Sequence, residues 1–135
     1  METIKFDQDI RVMYVEATSF PDGALAAHQK LHSYFPFTTV RRYFGLSRPE
    51  SGIIRYKAAA EIMESGEAEK YGLQTIVLKK GDYHALTLRD YMKDIPSIQR
   101  TFSQLIALPD IDPEGYCVEQ YIGQNDMLCM VRIAD

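Results

Sequence analysis

The segment Cys117-Val118-Glu119-Gln120-Tyr121 carries a carboxylate two residues from a phenol. In an extended chain alternate side chains share a face, so Glu119, Tyr121 and Cys117 project together. A carboxyl taken out of water holds its proton more tightly, which moves it toward the range where it relays protons or activates water, with a tyrosine hydroxyl to orient that water. The same pair suits binding equally well. Aromatic faces attract cations and bury flat apolar area, while a partly desolvated Glu supplies countercharge. A Glu in a strand is also at home solvated or paired with a neighbouring Arg, so the residue types alone leave these readings open.

Other chemistries find less support. His28 and His32 stand at i and i+4 on a helical segment, but no carboxylate or Cys follows at ligand spacing, so no metal site is expected. His84 alternates with apolar Leu86 and Leu88 as a strand-edge residue. Cys117 lacks a nearby His to make it a nucleophile. Gly45, Gly52, Gly66, Gly72 and Gly81 do not fall at the spacing of a phosphate-binding loop or a dinucleotide fingerprint, so no cofactor is expected.

The elements that position these residues come in a repeat. Residues 10–17 alternate as a strand; a helix follows from Gly23, capped by Asp22 and ended by Pro36; and 38–46 and 52–62 are extended, with a loop at 47–51. The second half has the same order: a strand over 82–89, and a helix opened by Pro96 with Ile98, Phe102, Leu105 and Ile106 on one side. A hairpin, 116–122 and 127–133, turns over Gly123-Gln124-Asn125-Asp126. The half-repeats run about 8–64 and 74–135, joined by a charged linker at about 65–73.

Each half has too few elements to bury a core alone, so the two are expected to share one sheet. The predicted fold is a single α+β domain over 1–135. Its two pseudo-symmetric β-α-β-β halves form one curved antiparallel sheet, with two helices on one face and a ligand cleft on the other. Alternation then puts Met127, Cys129 and Val131 on the helix side with Val118, and Glu119, Tyr121 and Met130 on the open side. The repeat makes Arg41 and Tyr43 the counterparts of Glu119 and Tyr121, and Tyr14 and Tyr56 join the open face. The two cysteines are expected on opposite faces, without a disulfide.

The chain has 135 residues, a net charge of −4, nine Tyr and no Trp. Its longest basic runs are Arg41-Arg42 and Lys79-Lys80, which argues against direct nucleic-acid binding. Apolar stretches fall short of the ~18 residues of a spanning helix, and the acidic opening lacks the pattern of a secretory signal. Two cysteines fit a reduced cytoplasmic setting.

The doubled strand-helix-strand-strand order, Tyr43-Phe44-Gly45-Leu46-Ser47-Arg48-Pro49-Glu50 followed by Arg55-Tyr56-Lys57-Ala58, and Val118-Glu119-Gln120-Tyr121 resemble the GyrI-like small-molecule-binding domain. That domain is also the effector-binding part of multidrug-sensing transcription activators. The resemblance spans nearly the whole chain. It implies a cleft between the halves with a functional glutamate at Glu119 and aromatic walls from Tyr43, Tyr56, Tyr121 and Tyr14. The Gly-aromatic turn usual after the first strand of each half is replaced here by Ser19-Phe20 and by Arg89-Asp90-Tyr91, which alters the rim.

The function expected first is capture of a hydrophobic or cationic organic ligand, in drug or toxin sensing, with Glu119, Tyr121, Tyr43, Tyr56, Tyr14, Arg41 and Met130 as ligand-binding residues. With no DNA-binding segment expected ahead of the first strand, regulation would run through a protein partner such as a DNA-binding regulator. A second expectation is hydrolysis of strained, cyclopropane-bearing electrophiles, with Glu119 and Tyr121 as catalytic candidates. A third is an acidic protein that binds DNA gyrase.

Overall fold

The computed structural model describes residues 1–135. In chain order it contains β1 (Glu2–Phe6), β2 (Ile10–Glu16), α1 (Ala24–His32), β3 (Tyr43–Glu50), β4 (Ile53–Glu61), α2 (Glu67–Tyr71) and β5 (Gln74–Leu78). Then come β6 (Gly81–Leu88), a 3-10 turn at Tyr91–Lys93, α3 (Pro96–Ile106), β7 (Cys117–Ile122) and β8 (Asp126–Arg132). All eight strands form one antiparallel sheet in the order β1-β6-β8-β7-β3-β4-β2-β5. The fold is therefore α+β, on a curved antiparallel sheet.

Curvature follows from where the apolar side chains go. Phe6 of edge strand β1 and Leu78 of edge strand β5 belong to the same buried cluster as Val12, Phe44, Leu46, Val118 and Met130, so the inner face curls on itself and fills with its own side chains. The outer face carries the helices. Here α1 packs on β4 and β2 and α3 packs on β8 and β6, leaving the central pair β3–β7 between the two helix footprints. Ala58 and Ala60 on β4 present small side chains to the α1 side, next to Ala27 and Leu31. Under α3 lie Met127, Cys129 and Val131.

The β7–β8 register corrects the expected facing of β7. Ile122 pairs with Asp126 and Glu119 with Cys129, so the turn is Gly123-Gln124-Asn125, one residue shorter than expected, with Gly123 at φ +59°. A one-residue change of register sends every side chain of a strand to the opposite face. Glu119, Tyr121 and Cys117 consequently share the helix-bearing face with Cys129, and Val118 points inward. The two cysteines are free thiols on one face, not on opposite faces.

Smaller differences have local causes. Strand β3 runs through the expected loop to Glu50 and turns at Ser51-Gly52, both at positive φ (54° and 84°). Pro49 is tolerated because β7 pairs with β3 only from Phe44 to Ser47, leaving Pro49 an edge position. β1 and β5 were not expected, and Glu67–Tyr71 is helical within the expected linker. Gly23, not Asp22, occupies the N-cap of α1, with no side-chain cap.

Arg41 holds α2 in place rather than joining the tyrosines. Its guanidinium donates to both Glu67 carboxylate oxygens at 2.8 and 2.7 Å and to the Glu61 carbonyl at 2.7 Å, with Phe35 beneath it. This bond holds the Glu67 carboxyl at about 2, below its ordinary 4.5. A carboxyl depressed by folding adds stability in full above its unfolded-state pKa and loses it as pH falls through the folded value. Glu67→Gln is therefore expected to flatten the acid limb of the stability curve between about pH 5 and pH 2. Urea unfolding at stepped pH measures this, and an unchanged acid limb would remove the pair from the acid response.

Candidate functional site

Between the helices, two strands and a helix bring one carboxylate, two phenols and an imidazole together. Glu119 Oε1 accepts hydrogen bonds from Tyr56 Oη at 2.9 Å and Tyr121 Oη at 2.8 Å. The two phenol oxygens are 3.2 Å apart, and His28 Nε2 lies 2.7 Å from Tyr56 Oη and 3.1 Å from Tyr121 Oη. Both phenol protons are spent on Glu119. The bond from His28 must then be Nε2–H donating to Tyr56, which assigns the tautomer of a neutral ring.

Gly45 makes this geometry possible. It faces Glu119 across the β3–β7 ladder and Ala58 across β3–β4. A Cβ at this position would lie 2.1 Å from Tyr56 Oη and 2.3 Å from Glu119 Oε1. Its missing side chain is the space through which Tyr56 reaches across β3 to Glu119. Gly45 and His28 are the members of the cluster that sequence reasoning passed over. The only signals were Gly45's place beside Tyr43-Phe44 and the place of His28 on the first helical segment.

Burial sets the electrostatics. Glu119 is 8% exposed and Tyr56 2%. Desolvation raises the Glu119 carboxyl above its ordinary range, against the opposing pull of the two phenol bonds, and no cation offsets it. Both phenols are pushed up, by burial and by the nearby carboxylate, and stay neutral donors. Burial lowers His28 to about 4, so its ring carries no charge at neutral pH. Burial likewise raises Cys117 to about 11 and Cys129 to about 12, which leaves both as unreactive thiols.

Oε1 takes both phenol bonds, and Oε2 receives none. The arrangement is a largely neutral cluster of rings around a single acid group with one oxygen free. Two further rings cover it. Phe20 stacks on Tyr56, centroids 5.1 Å apart and planes 11° apart, and Tyr91 lies 6.1 Å from Tyr121. Two depressions of the surface lie elsewhere. One of about 720 Å³ is bounded by residues such as Lys5, Arg11, Arg42 and Glu64, and one of about 80 Å³ by Arg48, Tyr116 and Arg132. The first mixes both signs of charge on an open surface, without the convergent buried groups found around Glu119.

Of the residues expected at the site, Glu119, Tyr121 and Tyr56 come together. Tyr43 shares their face but is packed between Phe37 and His32, and its hydroxyl accepts from the Thr38 amide at 3.0 Å. Tyr14 and Met130 pack on the inner face, across the sheet from Glu119, where Tyr14 donates to Gln74 at 2.7 Å. Arg41 is committed to Glu67. These four therefore stand apart from the cluster. The causes are the shorter β7–β8 turn, which put Glu119 on the other face from Met130, and the demand of a buried guanidinium for a bidentate partner.

Removing one phenol donor tests the wiring. Tyr56→Phe leaves the ring stack but takes a hydrogen bond from a buried carboxylate, which is worth about 1.5–3 kcal/mol when the acceptor is charged. The Glu119 carboxyl should then titrate at still higher pH, as followed by carboxyl carbon NMR. An unshifted titration would mean that the Tyr56 bond does not stabilise the charged form.

Together the curled antiparallel sheet, the two flanking helices and the buried acid between them define a half-barrel α+β fold with a polar-aromatic cluster around Glu119. No family model matches the chain, and no curated protein matches its sequence. Solved structures do match in fold. An integron cassette protein from the mobile metagenome of Vibrio cholerae aligns with a TM-score of 0.69 at 13% identity, over 98% of this chain and 94% of that one. SAV2435 bound to tetraphenylphosphonium aligns with a TM-score of 0.64 at 12% identity, over 97% and 93%. No helix is long and apolar enough to cross a membrane.

Proposed function

We propose that the chain binds a lipophilic organic cation bearing aromatic rings, with Glu119 as countercharge and Tyr56 and Tyr121 as its hydrogen-bonded supports. The observation that carries this reading is a buried carboxylate with no basic partner and one unbonded oxygen, set among phenols. Leaving a charge buried and unpaired is costly, and a cationic ligand removes that cost on binding. The tetraphenylphosphonium in the SAV2435 structure belongs to the same chemical class and makes a suitable probe. In calorimetric titrations, Glu119→Gln is expected to weaken tetraphenylphosphonium about 100-fold, the order expected for losing one close charge pair at intermediate dielectric. Neutral triphenylphosphine oxide should be affected much less. Equal loss for both ligands, or none for either, would remove the countercharge role.

The free Glu119 oxygen favours one second reading, hydrolysis of a strained electrophile. A carboxyl with raised proton affinity can take a proton from a water held at Oε2, while the phenols hold Oε1. Turnover of a cyclopropane-bearing substrate that disappears in Glu119→Gln while binding survives would support it. In a sensing role, His28 on α1 is the link from ligand to helix, and the partner, a DNA-binding regulator or gyrase, would read that helix.

A further inference from the structure

Phe20 is an exposed apolar ring with an unusual seat. It lies in the loop between β2 and α1, is 40% exposed, and rests nearly parallel on Tyr56, a residue that is itself 2% exposed. The face of Tyr56 that Phe20 covers belongs to the phenol that holds Glu119. The loop closes through backbone bonds from Gly23 N to the Ser19 carbonyl (3.1 Å) and from Ala24 N to the Pro21 carbonyl (3.2 Å). Gly23 permits this closure, because a Cβ there would lie 2.6 Å from the Ser19 carbonyl oxygen.

Tyr91 occupies the equivalent loop of the second half and is held differently. Its amide bonds the Asn125 carbonyl at 3.1 Å, and the preceding Asp90 amide bonds the Asp126 side chain at 3.1 Å, so the β7–β8 turn fixes it. One ring over the site is thus anchored to the sheet, and the other rests on it through a stack.

Resting on the cation-binding reading above, we propose that Phe20 is a built-in occupant of the ligand's aryl seat: a ring of the incoming cation takes its place on Tyr56. The geometry of that seat then selects cations carrying a flat aryl group over alkyl cations of similar size. Entry requires the stack to break. An aromatic pair contributes about 0.5–1.5 kcal/mol beyond its area burial, so removing the resident ring should tighten an aryl cation by up to about tenfold.

The test titrates tetraphenylphosphonium and tetrabutylammonium into the wild type, Phe20→Ala and Glu119→Gln. The expected result is a gain of several-fold to tenfold for tetraphenylphosphonium in Phe20→Ala, with a smaller gain for tetrabutylammonium. In a second measurement, the wild type carrying 4-fluorophenylalanine at position 20 should show its fluorine resonance move to a solvent-exposed position when tetraphenylphosphonium is added. Glu119-dependent binding that is unchanged or weaker in Phe20→Ala, or a fluorine resonance that stays put, would overturn the role of Phe20 alone. Absence of Glu119-dependent binding in both proteins would overturn the cation reading and this inference with it.

Discussion

Gly45→Ala is expected to be among the most damaging single substitutions in the chain, although it adds one methyl group. The added carbon would lie 2.1 Å from Tyr56 Oη and 2.3 Å from Glu119 Oε1, so it must displace buried groups that already satisfy each other. Overpacking typically costs about 1–3 kcal/mol, and breaking the hydrogen bonds of a buried carboxylate adds to it. A loss of about 3 kcal/mol in urea unfolding is expected, together with loss of tetraphenylphosphonium binding in any folded protein that remains. Gly52→Ala is the contrast. There the backbone is left-handed at φ +84° and nothing lies within 4 Å, so the cost is the conformational strain of about 1–2 kcal/mol, with binding intact. Equal effects of the two substitutions on binding would mean that Gly45 matters only as backbone.

Glu119→Gln has the second large effect, and its two parts differ in sign. Burial raises the folded-state pKa of Glu119 above its unfolded value. A group raised in this way contributes stability in full below its unfolded pKa and loses it as pH rises through the folded value. Once ionised, Glu119 in the unliganded protein is a carboxylate that its surroundings disfavour. A neutral amide of the same shape should make the unliganded protein more stable than the wild type at pH values where Glu119 is ionised, while cation binding weakens about 100-fold. It should also remove the decline in stability as pH rises above the ordinary carboxylate range. Thermal unfolding at pH 4 and pH 8 tests this. A Gln variant less stable than the wild type at pH 8 would show that the phenol bonds outweigh desolvation.

Much of the fold was legible because its signals are local. Pro96 at the start of α3, the apolar spacing of Ile98, Phe102 and Leu105, and the alternation in β2 and β8 each depend on a few neighbouring residues. The doubled order then implied a shared sheet. What was not legible was register. Whether three or four residues make the β7–β8 turn is a matter of one position between Ile122 and Met127, and both versions fit the same Gly-Gln-Asn-Asp composition. That single position decides whether Glu119 lies with Cys129 beneath the helices or with Met130 inside the curl.

The site was legible in its strand residues and not in the rest. Glu119 and Tyr121 announce themselves by spacing, and Tyr56 by its place on the second strand of the β3–β4 hairpin. Gly45 acts through an absence, which only a neighbour's position reveals. His28 reaches the phenols across 28 and 93 positions of sequence, a pairing that no local pattern encodes. Tyr14 is the reverse case. Its type and alternation suit the site, yet it lies on the other side of the sheet, because Val12 and Ile10 share its face and belong to the inner core.

In the proposed binding mode the Glu119 carboxylate meets the charge of the ligand. The most direct measurement is a pH titration of the Glu119 carboxyl carbon by NMR, without ligand and with saturating tetraphenylphosphonium. A raised pKa in the free protein that falls by about one unit or more when the cation is bound is the predicted result, one unit corresponding to about 1.4 kcal/mol of differential interaction. A titration that is the same with and without bound cation would rule out Glu119 as the countercharge.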